Sequence, residues 1–232
     1  MSTVSKDFNP PLYHPLYILR KNLYRQMTKF APLLNGKLMD FGCGSKPYKP
    51  LFTHIKEYIG VDYDGEGHKH DNEEIDFYYD GKTIPFDDNT FDSILTNEVL
   101  EHVFNLEQIV GELHRVLKPG GKLLITTPFA WMEHEAPVDF GRYTSFGMKA
   151  LMERNGFEIV AMEKTTNYIQ TQTQLRNTYW CNHFFPRLRP FATASCYVYS
   201  FFNNGIGLAV AKILPQKKQD WYLNLVTLVQ KK

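Results

Sequence analysis

The pattern of apolar and polar positions alternates between a helical and an extended period. Leu19, Leu23, Met27 and Phe30 recur at helical spacing, which predicts a helix over 16–30. Lys37–Phe41 is a short, nearly unbroken apolar run, the mark of a buried strand. Tyr58–Asp62, Ile75–Asp80 and Phe91–Asn97 read as further strands, and Pro50–Ile55 as a short helix. The clearest stripe is Leu106, Ile109, Val110, Leu113, Val116 and Leu117, one face of a helix. It stops at "KPGG", Lys118–Gly121, because proline and glycine break helices. Lys122–Pro128 reads as a fifth strand. Thr144 or Ser145 caps a helix running to Gly156, Phe157–Glu163 alternates as a sixth strand, and Tyr222–Gln230 reads as a last one.

Such alternation implies an α/β fold, with a mainly parallel sheet and helices on both faces. These sheets bind ligands at the carboxyl ends of their strands, where strand order reverses. The loop after Phe41 is therefore the first place to look for a cofactor. Residues 165–220 break the rhythm and read as a helical insertion. The expected organisation is one domain: a helical cap over 1–36, a core over 37–164, the insertion over 165–220 and a final strand over 221–232.

Composition narrows the classes. A chain of 232 residues, 43% hydrophobic and 22% charged, suits one soluble globular domain. A net charge of +1 gives no reason to expect a nucleic acid partner. Cys43, Cys181 and Cys196 lack metal-ligand spacing and are odd in number, so free thiols in a reducing, cytoplasmic compartment are expected. The first residues lack the apolar core of a signal peptide. The apolar zone Phe191–Leu214 is interrupted by Asn203, Asn204 and Lys212 and makes a poor transmembrane helix. Its aromatic face, near Lys212, Lys217 and Lys218, leaves peripheral membrane contact through 191–218 open. Nothing in the pattern speaks to oligomeric state.

The sharpest local feature is "LMDFGCGSKPY", Leu38–Tyr48. A phosphate loop needs Gly-x-x-x-x-Gly-Lys-Ser/Thr, and Lys46 stands in the wrong order for it. A dinucleotide loop needs a third glycine where Pro47 stands. S-adenosylmethionine needs neither, since it carries no phosphate. Glycines let the backbone approach its amino-acid end, Asp62 is placed to accept its ribose hydroxyls, and Asp80 to accept its adenine amino group.

Here the chain resembles the class I S-adenosylmethionine-dependent methyltransferases, type 11. The resemblance rests on "LMDFGCGS", "VDYD", "YDGKTIPFDDNTFDSILTNEVLEHV" at Tyr79–Val103 and "ELHRVLKPGGKLLITTP" at Glu112–Pro128, in order and spacing over about 37–164. It departs in Ser45, which replaces the commoner third glycine, and in Pro47 and Pro50. The resemblance implies a Rossmann-like sheet of seven strands with the last antiparallel. It implies S-adenosyl-L-methionine as cofactor, held by Asp40, Gly42, Cys43, Gly44, Asp62, Tyr63, Asp80 and Asn97. Arg20, on the N-terminal helix expected to close over the cofactor, is a candidate for its carboxylate.

The segment Phe129–Ser145 lies where this family builds part of its active site. An alcohol acceptor gains from a base, and His134 is the first candidate, with Glu135 or Asp139 orienting it or serving instead. Trp131, Arg142 and Tyr143 are candidate acceptor-binding residues. Asp139 and Arg142 read equally well as a local ion pair. Glu98 and His102 have the i, i+4 spacing of metal ligands on a helix, but no third ligand follows in pattern, so a structural histidine and no metal are expected. His68 and His70 read as an exposed loop. The expected activity is methyl transfer to a small molecule or glycan, first to a sugar hydroxyl, as in bacterial polysaccharide or natural-product pathways. A lipid or quinone precursor is the enzymatic alternative, and a non-catalytic relative the other.

Overall fold

The structure, a computed structural model, describes residues 3–65, 74–214 and 218–232. The readings of His68, His70 and Lys217 fall outside them.

The strands β1 (Lys37–Phe41), β2 (Glu57–Tyr63), β3 (Phe77–Tyr79), β4 (Phe91–Asn97), β5 (Leu117–Pro128), β6 (Phe157–Lys164) and β7 (Asn224–Lys231) form one sheet. Their order is β3-β2-β1-β4-β5-β7-β6. β1 to β5 pair in parallel, and β7 is inserted antiparallel between β5 and β6. This is the seven-stranded, Rossmann-like arrangement with its last strand reversed. Strand order reverses between β1 and β4, which puts the expected crevice at their carboxyl ends.

Local chemistry explains most of the elements. β1 is buried along almost its whole length, as a central parallel strand must be. The stripe on α2 (Leu106–Val116) buries Ile109, Val110, Leu113 and Val116 in the main core. Each such side chain contributes roughly 1.5–3 kcal/mol. Thr144 caps α3 (Ser145–Arg154) by accepting the Gly147 N–H at 3.1 Å. α1 (Tyr17–Phe30) buries Ile18, Leu19, Leu23, Met27 and Phe30.

Three expectations shift. β5 begins at Leu117, ahead of "KPGG", because Leu117 already pairs with Phe91 across an irregularity in the ladder. The helix expected over Pro50–Ile55 is a single 3₁₀ turn, Lys49–Leu51. β3 is shorter than Ile75–Asp80, because Asp76 turns its side chain to the Gly60 N–H.

The insertion is a helical hairpin: α4 (Tyr168–Tyr179), a π turn over Trp180–Phe184, a 3₁₀ turn over Phe185–Leu188, and α5 (Ala192–Ile213). The hairpin corrects the reading of three free thiols. The fold-back brings the Cα atoms of Cys181 and Cys196 within 5.3 Å, and the two form a disulfide, leaving Cys43 free and buried. Among the described residues, no helix is long and apolar enough to cross a membrane.

Candidate active site

The loop after β1 is held from below rather than by a third glycine. Gly42 turns at φ 71°, where a side chain would be strained, and a Cβ there would meet Val99 at 2.3 Å. Lys46 also adopts positive φ, 50°. Its buried ammonium donates to Asp76 Oδ2 at 2.7 Å, and that oxygen also accepts the Gly60 N–H at 2.6 Å. The chain can do this because β2 has a glycine here: a Cβ on Gly60 would lie 2.3 Å from Lys46 Cε. An ion pair beneath the loop thus anchors the turn where Ser45 stands in place of the commoner third glycine.

The acids around this loop differ in state. Asp40 is buried at the end of β1 and accepts from Tyr58 Oη at 2.5 Å. Burial pushes its carboxyl up to about 7. Asp62, on β2, accepts the Gly44 N–H at 2.8 Å through Oδ2 and the Tyr63 N–H at 2.8 Å through Oδ1. Asp80 is exposed and caps its own turn, accepting from the Lys82 and Thr83 amides, which lower its pKa. Gly81, its neighbour, lines the cleft instead.

The cleft has two chambers. One, of about 350 Å³, is lined by Arg20, Asp40, Cys43, Asn97, Trp131 and His134, among others. The second, of about 400 Å³, is lined by Asp62, Tyr63, Tyr79, Gly81, Phe104 and Phe140, among others. Gly42, Gly44, Glu98, His102 and Glu135 line both, so the chambers form one passage across the carboxyl ends of β1, β2 and β4. α1 lines the first chamber with Leu19, Arg20 and Leu23. The Arg20 guanidinium lies 4.4 Å from the Phe8 ring centroid, and its buried Nε has no hydrogen-bond partner among the described residues. An orphan donor of this kind fits a ligand carboxylate. Asn97 Oδ1 accepts from Thr126 Oγ1 at 2.9 Å, which fixes its side chain at the chamber wall.

On the acceptor side, Asp139 is a scaffold. Its carboxylate receives the Arg142 guanidinium at 2.5 and 2.7 Å and the His134 backbone N–H at 2.9 Å. Arg142 holds this carboxyl well below the usual range. The ion-pair reading of Asp139 and Arg142 therefore describes the geometry, and neither side chain lines the cleft. Tyr143 packs against the main core and does not line it either. His134 Nδ1 lies 3.1 Å from Asp139 Oδ2. Arg142 Nη2 is farther away, at 3.4 Å, and donates to Met132 O and Asp139. Nδ1 therefore carries the proton, and Nε2 is left as a base.

Sequence reasoning underrated the "EVLEH" block. Glu98 and His102 do not sit on an α-helix: Glu98 turns at φ 55°, and a 3₁₀ turn over Leu100–His102 follows. Folding brings His134 to within 4.8 Å of Glu101 and His102, measured between ligand atoms, in a set that does not include Glu98. His102 Nδ1 donates to Val138 O at 2.7 Å, and its Nε2 lies 3.8 Å from Glu101 and 3.7 Å from Glu135. Glu101 is fully buried, and neither carboxylate oxygen has a hydrogen-bond partner among the described residues. Burial raises its pKa and that of Glu98 well above the carboxylate range, and the Glu98 charge raises Glu101 further. Two imidazoles anchored through Nδ1 beside buried carboxylates form a donor set that suits a divalent cation or a cationic ligand. Burial and proximity, not spacing, create this cluster, so only the acidic content of the block could have signalled it.

Residues 39–125 match the family described as "Methyltransferase domain". The resemblance to the class I S-adenosylmethionine-dependent methyltransferases is thus shown over this core segment. Within its methyltransferase core it is 31% identical over 125 residues to the ubiquinone biosynthesis O-methyltransferase of Rattus norvegicus, covering 47% of this chain and 36% of that protein. It is 29% identical over 114 residues to the phthiotriol/phenolphthiotriol dimycocerosates methyltransferase 1 of Mycobacterium ulcerans, covering 45% and 42%. The chain thus spans well under half the length of these curated relatives. Among solved structures, one described as "a putative sarcosine dimethylglycine methyltransferase from Galdieria sulphuraria" superposes with a TM-score of 0.56 at 15% identity, over 92% of this chain and 86% of that one. The [4+2]-cyclase SpnF also reaches 0.56, at 17% identity, over 92% and 82%. These two likenesses establish the fold alone.

Proposed function

We propose that this protein transfers a methyl group from S-adenosylmethionine to a hydroxyl of a small-molecule or glycan acceptor. The observation that carries this is the two-chambered cleft, with Arg20 and Asp40 at one end, Asp62 at the other, and His134 and Glu135 at the first chamber's wall. In this reading Arg20 takes the cofactor's carboxylate and Asp40 its ammonium. Asp62 takes the ribose, with Tyr63 beside it. Bound S-adenosylmethionine supplies an electrophilic methyl group with a neutral leaving group, so no acid is needed. The chain's work is to align the acceptor and exclude water, with Leu19, Leu23 and Trp131 shielding the chamber. His134 Nε2 receives the acceptor's proton, and Asp139 steadies the resulting imidazolium through Nδ1.

Calorimetric titration with S-adenosylmethionine tests the cofactor site: wild type should bind, and Asp62→Ala should bind far more weakly. Absence of binding to wild type overturns the proposal. Labelled cofactor incubated with cell extract then identifies the acceptor. A lipid or quinone-precursor acceptor is the second reading, favoured by the exposed apolar surface of α5.

A further inference from the structure

Helix α5 is amphipathic in the wrong sense for water. Its inward stripe is Cys196, Ser200, Asn203, Asn204 and Gly207, all buried. The partner stripe on α4 is equally polar: Thr171, Thr173, Gln174, Asn177 and Thr178. The two helices are joined by side-chain amides, Asn203 Nδ2 to Asn177 Oδ1 and Asn177 Nδ2 to Asn204 Oδ1, each at 2.7 Å. Gly207 lets them close, since a Cβ there would lie 2.3 Å from Thr173 Oγ1. The outward face carries Tyr197, Val198, Phe201, Phe202, Ile206 and Ile213. Phe202 is 61% exposed, Ile206 60% and Ile213 74%. Helices on a water-soluble surface bury the apolar stripe and expose the polar one. Small and polar residues inside with apolar residues outside is the arrangement of helices that pack in an apolar surround.

Charge says what that surround is. From residue 164 to 219 the sequence contains no aspartate or glutamate, while Arg176, Arg187, Arg189, Lys212, Lys217 and Lys218 lie within it. A second copy of the chain, docked face to face about a two-fold axis, would set cationic segment against cationic segment. An anionic bilayer offers apolar contact and complementary charge together.

We infer that the outward face of α5 and the turn before it dock on an anionic phospholipid bilayer, with the helix lying in the interface rather than spanning it. Phe191, 69% exposed at the start of α5, extends the apolar surface toward Arg187 and Arg189. The contact is tied to the cleft: Asn204 Nδ2 donates to Leu12 O at 2.8 Å and His14 O at 3.2 Å, in the segment that leads into α1, which lines the first chamber. The inference does not depend on which acceptor is methylated.

Co-sedimentation with vesicles tests it, using phosphatidylcholine alone and phosphatidylcholine mixed with phosphatidylglycerol. Wild type should pellet with the mixed vesicles, and less so with neutral vesicles or at high salt. The double variant Phe202→Glu, Ile206→Glu removes only exposed apolar groups and should stay in the supernatant. Arg187→Glu with Arg189→Glu should weaken anionic binding roughly tenfold or more. Circular dichroism and cofactor titration confirm that each variant is folded. If the apolar variant misfolds, the lipid dependence of wild type and the arginine variant decide. Wild type that pellets with neither vesicle, or variants that pellet as well as wild type, overturns the inference. So does a wild-type dimer that Phe202→Glu dissociates with no vesicle binding by either form.

Discussion

Asp139 Oδ2 accepts from both the backbone N–H of His134, at 2.9 Å, and its ring Nδ1, at 3.1 Å. One oxygen thus fixes the position and the tautomer of the proposed base. His134→Ala should lower kcat by ~10²–10⁴-fold, the usual contribution of a general base, and leave the cofactor Kd unchanged. Asp139→Asn should lower kcat by a smaller factor, because the imidazole remains but is no longer held with Nε2 bare. It should also cost about 1.5–3 kcal/mol in urea unfolding, the worth of charged hydrogen bonds to Arg142. Asp139 is held below the ordinary carboxylate range, so this stabilisation is present at neutral pH and lost as the pH falls toward and below that range. Activity intact in both variants would remove His134 from the mechanism.

Asp62 joins the glycine loop to β2 through the Gly44 N–H at 2.8 Å. Asp62→Asn keeps an acceptor for that amide but loses the charge that holds two ribose hydroxyls. Calorimetry should show weakened cofactor binding with thermal stability near wild type. Asp62→Ala should lose both, lowering stability by ~1 kcal/mol as well. Cofactor affinity near wild type in Asp62→Asn would mean that Asp62 acts on the loop alone.

The fold was legible because its signals are local. β1 and β4 have the bounds that their apolar runs announce, and α2 ends one residue short of its stripe's last apolar position. Asp40 and Asp62 could be placed at the cleft because each lies near the end of a strand, whereas Asp80 turns away from it. What stayed hidden depends on contacts far apart in sequence. The pair of buried Lys46 and exposed Asp76 joins the glycine loop to the approach to β3, and Lys46 alone reads as a solvated charge. Glu101 meets His134 only because the loop after β5 folds back, with Phe140 N–H donating to Glu101 O at 2.7 Å. Asp139 carries a pattern that fits a base or an ion pair, and only Arg142 at 2.5 Å decides between them.

The buried carboxyl of Asp40 should make both stability and cofactor affinity pH-dependent, in opposite directions. Its pKa rises from 3.8 to about 7 on folding, so the fold favours the protonated form. That contribution is fully present below the unfolded value and is lost as pH rises toward about 7. Its loss costs up to ~1.4 kcal/mol per pH unit within that window. The cofactor-free protein should therefore lose stability across this range, and Asp40→Asn should flatten the profile. The ligand's ammonium favours the ionised form, so cofactor affinity should rise as Asp40 ionises and then level off. Titrations in buffers of different ionisation enthalpy should reveal a proton released on binding near neutrality. A pH-independent affinity would separate Asp40 from the ammonium.

The disulfide Cys181–Cys196 closes a loop of 15 residues around the hairpin turn. Cross-linking a loop of this length restricts the unfolded chain by ~3 kcal/mol. The two sulfurs sit on α4's continuation and α5, far in sequence from the strands that build the cleft. Cys196→Ser should therefore loosen the hairpin while leaving the core sheet in place. Hydrogen exchange should quicken at amides of 180–200 and stay unchanged in β1 and β4. Under denaturing, non-reducing conditions one thiol, Cys43, should react with a thiol reagent, and all three only after reduction. The polar seam of α4 and α5 lies beyond the bridge, with Asn177, Asn203 and Asn204 bonded to one another. Reduction should thus free the turn bearing Arg187 and Arg189 before it parts the helices. Exchange that quickens evenly along α5 would instead show that the bridge, not the amide seam, holds the hairpin together.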